Sequence, residues 1–250
     1  MLNYARFGKG NTLVLVHGFL GGAGYWTPLV TGVKHVLDVV AVDLPGFAGS
    51  AEVPPPDSLS GYGNTVVELM DKLGVGHFSV LGFSMGGMIA QQMALDHPAR
   101  IDKLVLYGSA AVGDLPHRFE SWEASIARIQ REGVEPTADK TVATWFVEGT
   151  RHPYYPACRE ACRGAHAPSC ITVIRAMQQW DNRSRLSDLK LPTFVIVGDK
   201  DRSTKVSDSI ILWEAIKGSQ LCVLPGCAHG AHMEKPDLFN RTLIDFLRGS

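Results

Sequence analysis

The chain has 250 residues, 24 basic against 25 acidic side chains, a net charge of −1 with histidine neutral, and 45% hydrophobic residues. That apolar share is ample for the core of one large α/β domain, and the balanced charge, with no Lys/Arg run, excludes the footprint of a nucleic-acid or anionic-membrane binder. No apolar stretch approaches the ~18 residues that cross a bilayer and the Met1–Arg6 stretch carries no signal-peptide pattern, so a cytoplasmic location is expected.

The elements follow in chain order. Leu2 to Phe7 reads as a short edge strand, turned back over Gly8 to Asn11. Thr12 to His17 is a continuous β-branched and apolar run, hence a strand buried on both faces. It ends in His17-Gly18-Phe19-Leu20-Gly21-Gly22, a loop whose glycines let the backbone approach a ligand closely. Trp26 to Gly32 can form a helix, and Asp38 to Asp43 is the next strand. After a stiff Pro-rich loop, Ser58 is a plausible N-cap for a helix reaching Leu73, with apolar residues recurring on one face.

His77 to Phe83 is then a buried strand and Met85 to Asp96 a helix, with Gly82-Phe83-Ser84-Met85-Gly86 between them. This is the G-x-S-x-G arrangement of a nucleophile elbow, in the strand-turn-helix context that the motif requires. So tight a turn forces the serine to positive φ and leaves no room for a β-carbon at 82 or 86. Ile101 to Tyr107, Pro192 to Val197 and Gln220 to Leu224 are further strands, Lys205 to Lys217 a helix, and Pro236 to Arg248 a closing amphipathic helix. Short buried strands alternating with helices predict a doubly wound, mostly parallel sheet.

One region breaks the alternation. Between about 113 and 190 no strand is evident, and helices are expected around 117–131, 137–147, 155–165 and 169–181. An insertion there, after the strand ending near Tyr107, would cover the carboxyl ends of the strands, where open α/β sheets bind ligands. Its aromatic residues Trp122, Trp145, Phe146 and Trp180 are candidate substrate contacts. An inner face rich in such groups favours an uncharged, apolar substrate, although Arg128, Arg151, Arg159, Arg163 and Arg175 are candidate cations for a singly charged one.

A serine nucleophile needs a base, usually a histidine oriented by a carboxylate. In this topology the acid and then the histidine follow the serine in sequence. Asp199 and Asp201 follow one late strand, and His229 and His232 follow the last, so the residues alone leave two candidates for each role. Five cysteines, an odd number, are expected as free thiols. Cys158, Cys162, His166 and Cys170 have ladder spacing, but Gly164 and Pro168 interrupt the helix that would align them, so no metal is expected.

With H-G-F at 17–19, D-L-P-G-F at 43–47, G-F-S-M-G-G at 82–87, G-D-K-D at 198–201 and G-C-A-H-G-A-H-M-E-K-P at 226–236, nearly the whole chain resembles the α/β-hydrolase family. The resemblance implies the α/β-hydrolase fold, with residues 1–112 and 191–250 as core and 113–190 as a helical lid inserted after the sixth core strand. It implies Ser84 as nucleophile, Asp201 as triad acid, His229 as base, and the backbone amides of Phe19 and Met85 as the oxyanion hole, while His17 is similar to a structural loop histidine. Ala48 stands where the family usually has a glycine, at a turn that needs positive φ.

Serine at 84 excludes relatives that need aspartate there. The expected function is hydrolysis of a small, fairly apolar carboxylic ester or lactone, with no cofactor and a small molecule as the only partner required; a homo-oligomer is compatible. The chain is also similar to the carbon–carbon hydrolases of aromatic ring-fission products and to cofactor-free haloperoxidases of this fold. A reading of another class is a ligand-binding receptor that keeps the fold but turns over negligibly.

Overall fold

The computed structural model describes residues 1–118 and 120–249. Phe119, inside the helix expected over 117–131, and Ser250 lie outside the described residues. Seven strands form one sheet: β1 (Tyr4–Gly8), β2 (Thr12–Val16), β3 (Asp38–Val42), β4 (Phe78–Phe83), β5 (Ile101–Tyr107), β6 (Thr193–Gly198) and β7 (Gln220–Leu224). Their order is β1-β3-β2-β4-β5-β6-β7, with β1 antiparallel on β3 and every other pair parallel. The residues of β3 and β6 are buried throughout, as strands covered on both faces must be.

The helices are α1 (Thr27–Val33), α2 (Leu59–Lys72), α3 (Met85–Asp96), α4 (Trp122–Glu132), α5 (Glu135–Ala143), α6 (Tyr155–Ala161), α7 (Ala167–Gln178), α8 (Val206–Ala215), α9 (Ala231–Glu234) and α10 (Pro236–Arg248). Ser58 caps α2 by accepting from the Gly61 amide at 3.3 Å. Helix α3 is buried from Met85 to Ala94, the pattern of a helix packed on all sides. None of the described helices is long and apolar enough to cross a membrane.

Strand order reverses between β2 and β4, which are neighbours in the sheet although β3 separates them in sequence. At such a switch point the loops leaving the two strands diverge and open a crevice. The loops here are His17–Gly22 after β2 and the turn at Ser84 after β4.

Helices α4 to α7 form the insertion. It follows β5, the fifth strand of this chain, not a sixth as expected; only four strands precede β5. The chain enters and leaves through a narrow neck. Val112 and Asp181 form an isolated antiparallel bridge, and the Asn182 amide donates to the Ala111 carbonyl at 2.9 Å.

Candidate active site

Ser84 sits between β4 and α3 at φ 56° and ψ −119°. The turn closes on itself: a β-carbon on Gly82 would lie 2.1 Å from the Gly86 carbonyl oxygen. One on Gly86 would strike the Val16 carbonyl oxygen, also at 2.1 Å, so this glycine is required by β2 rather than by Gly82. The strained serine is held from outside, since the Ser109 hydroxyl donates to the Ser84 carbonyl at 2.8 Å.

His229 follows β7 and Asp201 follows β6, and the two meet beside the serine. His229 Nδ1 lies 2.6 Å from Asp201 Oδ2, and both side chains are buried. Asp201 also accepts from the Ser203 and Thr204 amides at 2.8 and 3.0 Å and from the Thr204 hydroxyl at 3.1 Å, which fixes its plane. The Tyr107 hydroxyl donates to the His229 carbonyl at 2.6 Å. Gly108, at φ 51°, lets this pair approach: a β-carbon there would lie 3.2 Å from the imidazole and 3.4 Å from the carboxylate.

The alternatives are engaged elsewhere. Asp199 accepts from the Gly226 amide at 2.6 Å and the Cys227 amide at 3.2 Å, and pairs with Lys200. His232 is fully buried, with Nε2 3.2 Å from the Tyr25 carbonyl oxygen, so that nitrogen carries the proton. Burial pushes its pKa down to about 3, which keeps it neutral. His17 is buried too, and burial lowers its pKa. Its Nδ1 donates to the Gly18 carbonyl at 2.7 Å and its Nε2 accepts from the Leu44 amide at 2.9 Å, so it pins the loop after β2. Asp43 ties the end of this loop to its own turn by accepting from the Ala23 amide at 2.6 Å and the Gly49 amide at 3.1 Å.

Ser84 and His229 line one cavity of about 80 Å³. Gly18, Phe19 and Phe83 come from the core, Ser203 from the loop that carries Asp201, and Arg118, Trp122, Ser125, Thr137, Thr141, Thr144, Trp145, Ile174 and Met177 from the insertion. Larger hollows of about 360 and 440 Å³ lie beside Phe246 and between Tyr25 and Cys158, but neither includes Ser84. The chemistry identifies the smaller one. Met85 begins α3, so its amide is one of the helix's first N–H groups, which have no partner within the helix.

Of the four aromatic residues expected as substrate contacts, Trp122 and Trp145 reach this cavity. Phe146 does not; it is fully buried and stacks on His152 with ring centres 4.2 Å apart. Trp180 does not either; its indole points to the Gln92 side-chain oxygen at 3.3 Å, where it joins the neck to α3. The expected apolar inner face is only half present. Helix α5 and its C-cap residue Thr144 turn Thr137, Thr141 and Thr144 toward the cavity at four- and three-residue spacing, giving a hydroxyl-lined side.

Among the expected cations, Arg128 pairs with Glu120, Arg159 with Glu135 and Asp139, and Arg163 with Glu160. The cavity cation is instead Arg118, which falls inside the helix expected over 117–131 but lies in an irregular stretch before α4, which begins only at Trp122. Tyr107 and Ser109 were also missed; a polar group at the end of a buried strand was their one signal. Among the described residues no group of three or more His, Cys, Asp or Glu side chains could hold a metal ion. The cysteines do not converge: Cys158 faces the Met233 sulfur at 3.4 Å, and Cys162 faces the Leu20 carbonyl at 3.3 Å.

The insertion is fastened to the loops that carry Asp201 and His229 through residues 144–147. The Gly230 amide donates to the Trp145 carbonyl at 2.6 Å, and Arg202 donates to the Phe146 carbonyl at 3.1 Å. Glu234 accepts from the Val147 amide at 2.7 Å with one oxygen and from the Ala228 amide at 2.5 Å with the other.

A family sequence pattern for the alpha/beta hydrolase fold matches residues 11–236. RutD of Agrobacterium fabrum, assigned as a carbamate hydrolase, is 29% identical over 94% of this chain and 92% of its own length. The 2-hydroxy-6-oxo-6-phenylhexa-2,4-dienoate hydrolase of Comamonas testosteroni is 28% identical over 99% of this chain and 91% of its own. The crystal structure of the enol-lactonase of Burkholderia xenovorans superposes with a TM-score of 0.92 at 25% identity, covering 99% of this chain and 96% of that one. The sheet, the elbow at its switch point and these matches agree: the chain belongs to the alpha/beta hydrolase fold family and is a hydrolase.

Proposed function

We propose that the protein is a serine hydrolase of small carboxylic esters or lactones that works through an acyl-enzyme. The observation that carries the reading is the shared cavity of Ser84 and His229, with His229 Nδ1 held 2.6 Å from a buried Asp201. The Nδ1–H donates to the carboxylate, which leaves Nε2 unprotonated and available to take the Ser84 proton. Ser84 Oγ then adds to the acyl carbon. The oxyanion that forms is stabilised by the amides of Phe19 and Met85. His229 returns the proton to the departing oxygen as its bond to the acyl carbon breaks. A water deprotonated by His229 releases the acid and restores Ser84. In a lactone the departing oxygen stays tethered to the acyl group until that second step.

The insertion acts as a lid in this reading. Its segment 144–147 is a fixed wall, because Glu234, Arg202 and Gly230 fasten it. Carbon–carbon cleavage of a dienoate is the second reading, and the relative from Comamonas favours it. A receptor without turnover would use the same cavity only for binding.

A fluorophosphonate probe tests the hydrolase assignment. Labelling confined to Ser84, lost in Ser84→Ala, together with steady turnover of short-chain esters or lactones, is the expected result. Dienoate cleavage a hundredfold faster than any ester would move the carbon–carbon reading to the front. Saturable binding of these compounds without turnover or labelling would leave a receptor.

A further inference from the structure

The cavity that Ser84 and His229 share, about 80 Å³, has room for on the order of five water-sized groups, so a small substrate fills it and meets most of its wall. The hydroxyls that α4 and α5 bring to that wall are not equivalent. Ser125 Oγ gives its proton to the Glu120 carboxylate at 2.5 Å, and Thr144 Oγ1 gives its proton to the Thr141 carbonyl at 2.7 Å, so neither has one left to offer. Thr137 differs. It is only 2% exposed, and its Oγ1 accepts from Arg128 Nε at 3.0 Å. An arginine nitrogen only donates, so that bond leaves the Thr137 proton unused, and no described residue accepts it. Thr141, one turn further along α5, likewise has no partner for its hydroxyl among the described residues. Trp122, which also lines the cavity, holds a buried indole N–H without an acceptor among them.

The groups behind Thr137 decide what kind of donor it is. Arg128 is itself buried and gives both terminal nitrogens to the Glu120 carboxylate. A hydroxyl that accepts from a cation becomes a stronger donor through its own proton. Helix α5 starts at Glu135 with no capping side chain, so its first-turn amides, that of Thr137 among them, add partial positive charge beside the hydroxyl. The formal charges nearby balance, since Arg118 feels Glu120 and Asp114 as well as Arg128. This wall therefore offers donors without a spare cation, which suits a neutral acceptor better than a carboxylate.

From this arrangement we infer that Thr137 is a specificity-determining residue whose hydroxyl donates to a second, uncharged carbonyl oxygen of the substrate, so the preferred ester or lactone carries an oxo group within a few bonds of the scissile carbonyl. The inference rests on the hydrolase reading above and narrows its substrate class. A hydrocarbon arm of the same shape would cover the Thr137 proton without pairing it, an unfavourable exchange.

Three esters of nearly equal shape test the acyl arm: ethyl 4-oxopentanoate, ethyl 4-methylidenepentanoate, in which CH₂ replaces the oxo oxygen, and monoethyl succinate, in which a carboxylate replaces the acetyl end. 2-Oxopropyl acetate and 2-methylprop-2-enyl acetate make the oxo comparison on the alcohol arm. Each kcat/KM is normalised to the rate of hydrolysis by hydroxide, which removes differences in intrinsic reactivity. In the wild type at least one oxo ester is expected to exceed its methylidene twin by about tenfold or more. Thr137→Val, which removes the hydroxyl at nearly constant shape, should abolish most of that ratio, mainly by raising KM for the oxo ester. Thr137→Ser, which keeps the hydroxyl, should preserve it. Wild-type ratios under tenfold on both arms, a ratio unchanged in Thr137→Val, or a succinate tenfold better than both uncharged acyl twins would each overturn the inference. If Thr137→Val does not fold, the wild-type ratios and the succinate comparison decide alone. In all these cases continued turnover and Ser84 labelling by the wild type would keep the hydrolase reading intact. Absence of turnover on every ester together with absence of labelling would instead overturn that reading and this inference with it.

Discussion

His229 and His232 stand three positions apart after the same strand, and their surroundings separate them. His232 holds its Nε2 proton on a backbone carbonyl in a dry, aromatic site between Tyr25, Trp26 and Tyr107. His229 faces the cavity and leans on Asp201. Removing a member of a unit that acts together costs about as much as removing all of it. Ser84→Ala and His229→Ala should therefore each lower kcat by ~10⁴-fold or more, and the double variant should lose little beyond either single one. Asp201→Asn should cost far more than Asp199→Asn, since the Asp199 carboxylate serves the Gly226 and Cys227 amides and Lys200. Steady-state kinetics on one ester decides all of this: a crippled His232→Ala beside a mild His229→Ala would reverse the base assignment.

Two tight turns feed the site, and each holds a non-glycine residue at positive φ, Ser84 in one and Ala48 in the other. At the elbow, Gly82 and Gly86 remove β-carbons that would sit 2.1 Å from carbonyl oxygens, so Gly82→Ala or Gly86→Ala should abolish the folded state in soluble expression. In the turn after Asp43, Ala48 adopts φ 44° although alanine is uncomfortable there, and Phe47 beside it is fully buried with its ring edge-on to His17 and Phe19. A left-handed conformation costs a non-glycine residue ~1–2 kcal/mol. Glycine there would relieve most of that but bring ~0.4–1 kcal/mol of extra unfolded-state entropy. Ala48→Gly should thus raise unfolding stability by about 0.5 kcal/mol, read as a higher urea midpoint at unchanged slope. A lower midpoint would mean that packing of the Ala48 methyl against Gly22 outweighs the strain.

At the scale of the whole molecule, the sheet was legible because each buried strand is a run of β-branched and apolar residues, and the elbow because its chemistry is local to five residues. The pairing of Asp201 with His229 needed the family resemblance as well, since spacing alone left Asp199 and His232 open. The interior of the insertion was not legible. Which way Trp122, Phe146 and Trp180 face is set by packing between helices distant in sequence, and Arg118 lies in an irregular stretch before α4 although a helix is expected from 117. The same burial that hides those contacts has a consequence for the entire fold. His17 and His232 are both kept neutral by desolvation, the latter with its pKa lowered to about 3. In the unfolded chain each returns to about 6.5, so between these values the unfolded state binds more protons than the folded one. Their contribution is fully present above pH ~6.5 and is lost as pH falls toward the folded values, by up to about 1.4 kcal/mol per pH unit for each group. The loss begins before ordinary carboxylates titrate, so urea midpoints should already fall between pH 7 and pH 5. His232→Gln, which keeps a donor for the Tyr25 carbonyl but cannot be protonated, should start less stable at pH 7 and show a shallower fall. Equal midpoints at pH 7 and pH 5 in the unaltered protein would mean that these histidines are protonated or hydrated in the folded state, and the dry site between Tyr25 and Tyr107 would then be wrong.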